Sequence, residues 1–206
     1  MTRKFISRKE LKQKIQEDST PRTTISFYRY VNVKDPQSFQ EKLLIEYGKL
    51  GVLGRIYVAA EGINAQFSVP TKNLEAFRQL VDSMPETKDI PFKIAVEDDG
   101  KSFYKLTIKI RNKVLADGLD DDTFDTSNVG THLTAKQFND AIDEGAIVID
   151  MRNHYDAEVG TFENAITIDG DTFREVLPEA IKQVENKKGE KIFLFCTGGI
   201  RCEKAS

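Results

Sequence analysis

The chain has 206 residues, with 30 Lys and Arg against 33 Asp and Glu, a formal charge of −3 and a pI near 5.6. Apolar residues at 39% beside 31% charged residues supply a core and exclude a disordered polyelectrolyte. No apolar run approaches the roughly 20 residues that span a bilayer, so no membrane-embedded role is expected.

The length allows one large or two small domains. Met1–Glu10 carries charges without an apolar stretch and does not read as a secretory signal. Two cysteines are too few for a disulfide scaffold or an all-Cys zinc site, which suits a reducing cytoplasm. Residues 1–21 read as a basic helical arm. Residues 24–33 are rich in β-branched and aromatic residues and predict a strand. Asp35-Pro36 supplies an N-cap and a first-turn proline for a helix bearing Phe39, Leu43, Leu44 and Tyr47, ended by Gly48 or Gly51.

Residues 55–59 and 63–69 predict two strands around a Glu61-Gly62 turn, and Thr71 is expected to cap a helix carrying Leu74, Phe77, Leu80 and Val81. Strand character returns at 92–96 and 103–110. The order β-α-β-β-α-β with one extra strand predicts an α+β ferredoxin-like (split βαβ) domain over residues 22–115. Its Phe and Tyr residues read as core rather than as a base-stacking platform. Lys105, Lys109, Arg111 and Lys113 alternate with Leu106, Ile108 and Ile110, so one face of the last strand is cationic. That face reads first as solvated surface and second as a contact for nucleic-acid phosphates.

Asp117, Asp120, Asp121, Asp122 and Asp125 follow with no basic residue among them, and residues 116–130 read as an acidic linker. Residues 131–206 then alternate helices and apolar strands, the pattern of a parallel α/β sheet. Thr134 caps a helix with Phe138, Ala141 and Ile142, and strands are predicted at 146–150, 165–168 and 191–195 with a helix around 172–186. The last strand opens onto Cys196-Thr197-Gly198-Gly199-Ile200-Arg201-Cys202.

A cysteine at the C-terminal end of a buried parallel strand sits where such sheets place their sites. Gly198 and Gly199 let backbone N–H groups turn toward the sulfur, and Arg201 adds a fixed positive charge, so a lowered thiol pKa is expected. Cys196, Arg201 and Cys202 are therefore the candidate catalytic residues. Thr197, Gly198, Gly199, Ile200 and Arg152 are candidate substrate-binding residues beside them, with Lys105, Lys109 and Arg111 on the cationic strand. His132 and His154 have no partners at ligand spacing, and no metal site is expected. No phosphate-binding or dinucleotide glycine motif is present.

Arg201 lies five positions after Cys196, one residue tighter than the cradle of Cys-dependent phosphatases. That loop, with Asp150-Met-Arg152, Glu158, Gly160 and Asn164-Ala165-Ile166, resembles a rhodanese-like module, whose loop fits a persulfide sulfur. One departure is Gly160-Thr161-Phe162, where rhodaneses often carry Gly-His-Ile. Adding Arg55-Ile-Tyr-Val-Ala-Ala-Glu-Gly-Ile-Asn64 and Phe195-Cys-Thr-Gly-Gly-Ile-Arg-Cys-Glu-Lys-Ala205, the chain is similar over about residues 22–206 to the bacterial tRNA uridine hydroxylase family. The resemblance implies oxygen-dependent C5 hydroxylation of the wobble uridine, position 34 of tRNA, to 5-hydroxyuridine. It also implies molecular oxygen as co-substrate and the tRNA anticodon loop as partner. No stable protein partner is implied, and the cofactor is unknown. The residues alone support a reactive cysteine and sulfur transfer, so a sulfurtransferase carrying a Cys196 persulfide remains the alternative, with an anion-binding module behind it. The sequence stops four residues after Cys202, and the family continues into a Cys-rich region. A truncated rhodanese-like domain is therefore expected, with neither a helix after the loop nor a further strand.

Overall fold

Side-chain caps start several of the helices. Ser7 and Glu10 exchange hydrogen bonds with each other's backbone in a capping box that opens α1 (Arg8–Glu17). Asp35 accepts from the Ser38 amide and Pro36 occupies the first turn of α2 (Pro36–Lys49). The computed structural model describes residues 6–119, 124–125 and 128–206, and it divides the chain into two units between Val114 and Leu115.

The first unit adds β1 (Arg22–Tyr30), β2 (Leu53–Ala59), β3 (Gly62–Pro70), α3 (Leu74–Asp82), β4 (Lys93–Ile94) and β5 (Leu106–Ile110). The sheet order is β4-β1-β3-β2-β5, and the β5–β2 pair is parallel while its other pairs are antiparallel. Helix α2 joins β1 to β2 with β3 inserted between them, which is the split βαβ arrangement that the element order predicts. One face carries Ile25, Phe27, Ile56, Val58, Phe67 and Ile108 into a core shared with Leu43 and Tyr47 of α2 and Phe77 and Val81 of α3. Gly54 lets β2 approach β3 closely: a Cβ there would stand 2.3 Å from the Phe67 Cβ and 2.5 Å from the Gln66 carbonyl.

Several boundaries differ from the sequence expectation. The first strand runs from 22 to 30 rather than from 24 to 33. The hairpin turns on Ala60-Glu61, one residue early. Thr71 opens a 3₁₀ turn instead of capping α3, whose N-cap Asn73 makes no capping bond and donates its side-chain amide to the Leu50 carbonyl at 3.0 Å. Strands expected at 92–96 and 103–110 shorten to two and five residues. Between them Asp98 and Asp99 accept from the Gly100 and Lys101 amides, so side chains replace ladder partners.

The second unit contains α4 (Ala135–Asp143), β6 (Ile147–Asp150), α5 (His154–Val159), β7 (Ile166–Thr167), α6 (Phe173–Val184), β8 (Ile192–Phe195) and α7 (Ile200–Ala205). Thr134 with Gln137 and Thr172 with Glu175 form capping boxes at α4 and α6. The sheet β7-β6-β8 is all parallel, as the apolar strands imply. Ile149, Met151, Ile168, Phe173, Val176 and Leu177 form its core.

Two expectations are corrected here. A helix does follow the cysteine loop, because Gly199 in the left-handed region (φ +85°) turns the chain into α7. Asp117 is not a solvated linker acid: it is buried and stands 3.3 Å from the buried Lys204 ammonium. Asp120, Asp121 and Asp122 lie outside the described residues. No described helix is long and apolar enough to cross a membrane.

Candidate active site

Register places the candidate residues. Asp150 of β6 pairs with Phe195 of β8, and the Met151 amide donates to the Phe195 carbonyl at 2.9 Å. Asp150-Met151-Arg152 and Cys196 therefore leave the sheet side by side, at the C-terminal edge of two neighbouring parallel strands.

The Cys196 sulfur is half-buried and accepts from the Gly199 amide at 3.0 Å. Its pKa falls to about 5. The Cys202 thiol donating to it is the main cause, and the Cys202, Arg201 and Gly198 amides assist against the opposing effect of burial. Cys202 is driven the other way, held protonated by that same bond and by burial. The two cysteines thus form an acid–base pair: one sulfur carries the charge and the other keeps the proton.

Arg201 offers its backbone amide to the Cys196 sulfur, and its charge acts on Cys202. Its guanidinium donates to the Met151 carbonyl at 3.3 Å and stands 4.0 Å from Asp156. Thr197 is exposed, Gly198 lies in the loop, and Ile200 begins α7.

Arg152 is held by an ion pair at the same edge of the sheet. Its Nε and Nη2 fork onto the buried Asp150 carboxylate at 2.9 and 2.6 Å, and Nη2 also reaches the Gly160 carbonyl at 2.6 Å. Its guanidinium lies 5.2 Å from the Phe195 ring centroid. Asp150 chiefly raises its pKa, with smaller contributions from Asp156 and the Cys196 thiolate. Burial opposes ionisation of Asp150, but hydrogen bonds from Arg152 and Thr161 outweigh it and hold the carboxyl below the usual range. Thr161 supplies one of these through its hydroxyl, 3.1 Å from Oδ2.

Sequence reading passed over Thr161 and Lys204. Thr161 sits where the chain departs from the rhodanese pattern, which was the available signal. Lys204 had none, since nothing local marks a lysine as buried. An open groove of about 1040 Å³ runs beside the cysteines, lined by Phe138, Phe162, Phe193 and Phe195 among others.

Lys105, Lys109 and Arg111 lie in the first unit, exposed and sharing one face of β5 and its flanks. Ile108 is buried behind them, while Ile110 at the strand end is 37% exposed. His132 faces Glu203 at 3.2 Å and His154 faces Asp171 at 3.1 Å. Among the described residues no three His, Cys, Asp or Glu side chains group to hold a metal ion.

Residues 22–114 match the UPF0176 acylphosphatase-like domain. The tRNA uridine(34) hydroxylase of Leptospira interrogans is 54% identical over 197 residues, 95% of this chain and 54% of that protein. The proteins of the same name from Photorhabdus laumondii and Escherichia coli are 51% and 52% identical over 203 residues, 98% of this chain and 58% of each relative. Among solved structures, BlrB, a BLUF protein in its dark state, is 12% identical over 45% of this chain and 74% of its own, with a TM-score of 0.31, too slight a likeness to carry an argument. By sequence, this chain is similar over 95–98% of its length to the proteins named tRNA uridine(34) hydroxylase, of whose own length it spans little more than half.

Proposed function

We propose that this chain is the cysteine-bearing part of an enzyme that hydroxylates C5 of the wobble uridine of tRNA to 5-hydroxyuridine, with molecular oxygen as co-substrate. The observation that carries the reading is similarity at 51–54% identity across 95–98% of the chain. The reading takes the second unit as rhodanese-like, with Cys196 as the reactive group. A sulfur ionised near pH 5 supports this, because the thiolate is the nucleophilic form. Arg152 lies beside that charge, and Cys202 is the protonated neighbour suited to resolve a disulfide or persulfide. Lys105, Lys109 and Arg111 dock the tRNA backbone, and the anticodon loop presents its uridine unstacked at lower cost than a duplex. The enzyme works in the cytoplasm, where tRNA and reduced thiols coexist.

The test is nucleoside mass spectrometry of tRNA from cells lacking the gene, complemented with the full-length gene or its Cys196→Ala form. The reading expects 5-hydroxyuridine derivatives to return only with the intact cysteine. Unchanged modification after deletion, with no second enzyme supplying it, overturns it. Sulfur transfer is the second reading, favoured by the Cys202–Cys196 hydrogen bond, which also suits a persulfide carrier. Thiosulfate turnover with cyanide, abolished by Cys196→Ser and accompanied by unaltered tRNA, selects it.

A further inference from the structure

Charge is divided sharply between the two units. Residues 1–114 carry 21 Lys and Arg against 14 Asp and Glu, a net +7, whereas residues 115–206 carry 9 against 19, a net −10. The first unit is therefore a polycation inside an acidic chain, and its positive charge has a structural address.

The address is the sheet face opposite α2 and α3. Cross-strand register sets Lys93, Ser26, Gln66, Arg55 and Thr107 in one row across all five strands. The next row holds Tyr28, Asn64, Tyr57 and Lys109. At 4.7–4.9 Å per strand, the first row spans about 19 Å. Arg55, Gln66, Lys93 and Lys109 are exposed, and Lys105 and Arg111 flank them from the ends of β5. The strands place no carboxylate on this face; Asp98 meets it from a loop at Thr24, one row beyond Ser26. The Phe residues of the sheet point into the core, as the sequence suggests, but Tyr28 and Tyr57 do not. They stand on the cationic face with Lys93 and Arg111 at 5.2 and 5.6 Å from their ring centroids. Asn64 between them is held by the Val114 carbonyl at 3.2 Å and spaces the two rings two strands apart.

We infer that this face is a docking surface for single-stranded RNA, an inference that rests on the RNA-substrate reading above and deepens it. Phosphates meet Arg55, Lys93, Lys105, Lys109 and Arg111, unstacked bases meet Tyr28 and Tyr57, and Ser26, Gln66 and Thr107 offer neutral hydrogen-bonding groups to base edges and 2′-hydroxyls. A duplex hides its base faces and uses only the cations. An acidic protein uses the cations without the rings.

The test measures binding of a labelled, unstructured oligouridylate to the 206-residue chain by fluorescence anisotropy across a salt series. A blunt RNA duplex and polyglutamate serve as competitors. Replacing Arg55, Lys93 and Lys109 together by Gln should flatten the slope of log affinity against log salt by about 2, at about 0.7 per lost single-strand phosphate contact. Tyr28→Leu and Tyr57→Leu, which keep apolar bulk, should each weaken binding about tenfold. Circular dichroism melts establish that each variant remains folded. Duplex or polyglutamate competing as well as the oligouridylate, or a salt slope unchanged in the triple variant, overturns the inference. Affinity indifferent to both Tyr substitutions in folded protein does the same. If tyrosine-dependent binding persists in Cys196→Ser while gene deletion leaves 5-hydroxyuridine derivatives in tRNA unchanged, with no second enzyme supplying them, the surface stands and the hydroxylase reading falls.

Discussion

Removing the Cys202 thiol should raise the pKa of Cys196. The sulfur of Cys196 owes its value of about 5 first to the proton offered by Cys202, then to backbone amides that no side-chain substitution removes. A hydrogen bond to a charged acceptor is worth about 1.5–3 kcal/mol, and one pKa unit is about 1.4 kcal/mol, so Cys202→Ala should shift Cys196 upward by about 1–2 units. Cys202→Ser keeps a hydroxyl donor and should stay near the parent. The chain has two cysteines, so in either variant Cys196 is the sole thiol and its alkylation by iodoacetamide can be followed against pH by intact mass. The midpoint is the quantity to compare. A less acidic thiolate is also the stronger nucleophile, so the plateau rate at high pH should rise as the midpoint moves. An unmoved midpoint in Cys202→Ala would refute the pairing and assign the acidity to the loop amides alone.

Other consequences follow from particular contacts. Because the folded pKa of Cys196 lies below its ordinary 9.0, its ionisation stabilises the folded state fully above pH 9, and that contribution is lost as pH falls through about 5. Denaturant melts should therefore show the parent gaining on Cys196→Ser as pH rises from 5 to 8, by no more than about 1.4 kcal/mol per unit. Lys204→Met removes the ammonium 3.3 Å from the buried Asp117 carboxylate and should cost about 3–5 kcal/mol in urea titration, while the double variant Lys204→Met with Asp117→Leu should recover most of it. Asp150→Ala leaves Arg152 without its forked partner and should destabilise the second unit by a similar amount, with Thr161→Val costing about 1 kcal/mol. Gly54→Ala drives a methyl into the Phe67 Cβ and should cost about 3 kcal/mol or more, read as a lower urea midpoint for the first unit.

Residues 22–206 disclose their element types locally. Alternation, apolar runs, Asp35-Pro36 and the Thr134 cap act within a few residues, so the order of strands and helices and the strand-to-Cys196 junction were legible in the sequence. The Gly198-Gly199 pair likewise announced amides turned toward a sulfur, and Gly199 delivers one. Other features depend on which distant segments meet. Cys202 lies one turn into α7, and only that helix brings its thiol to Cys196; a reading that expected no helix could not find the donor. Arg201 reads in sequence as the charge beside the sulfur; in the fold its guanidinium reaches the Met151 carbonyl and its charge acts on Cys202, while the register of β6 against β8 brings a second cation, Arg152, to the same edge. Asp117 and Lys204 are 87 positions apart and read as ordinary surface charges until folding buries them together. Tyr28 and Tyr57 are indistinguishable in sequence from the core aromatics, because strand parity fixes a side chain's face only once it is known which face the helices cover. The sequence by itself determined what each segment becomes, since propensity and capping are short-range. Tertiary structure alone decided which charges, rings and sulfurs become neighbours, because those distances are set by sheet register and burial.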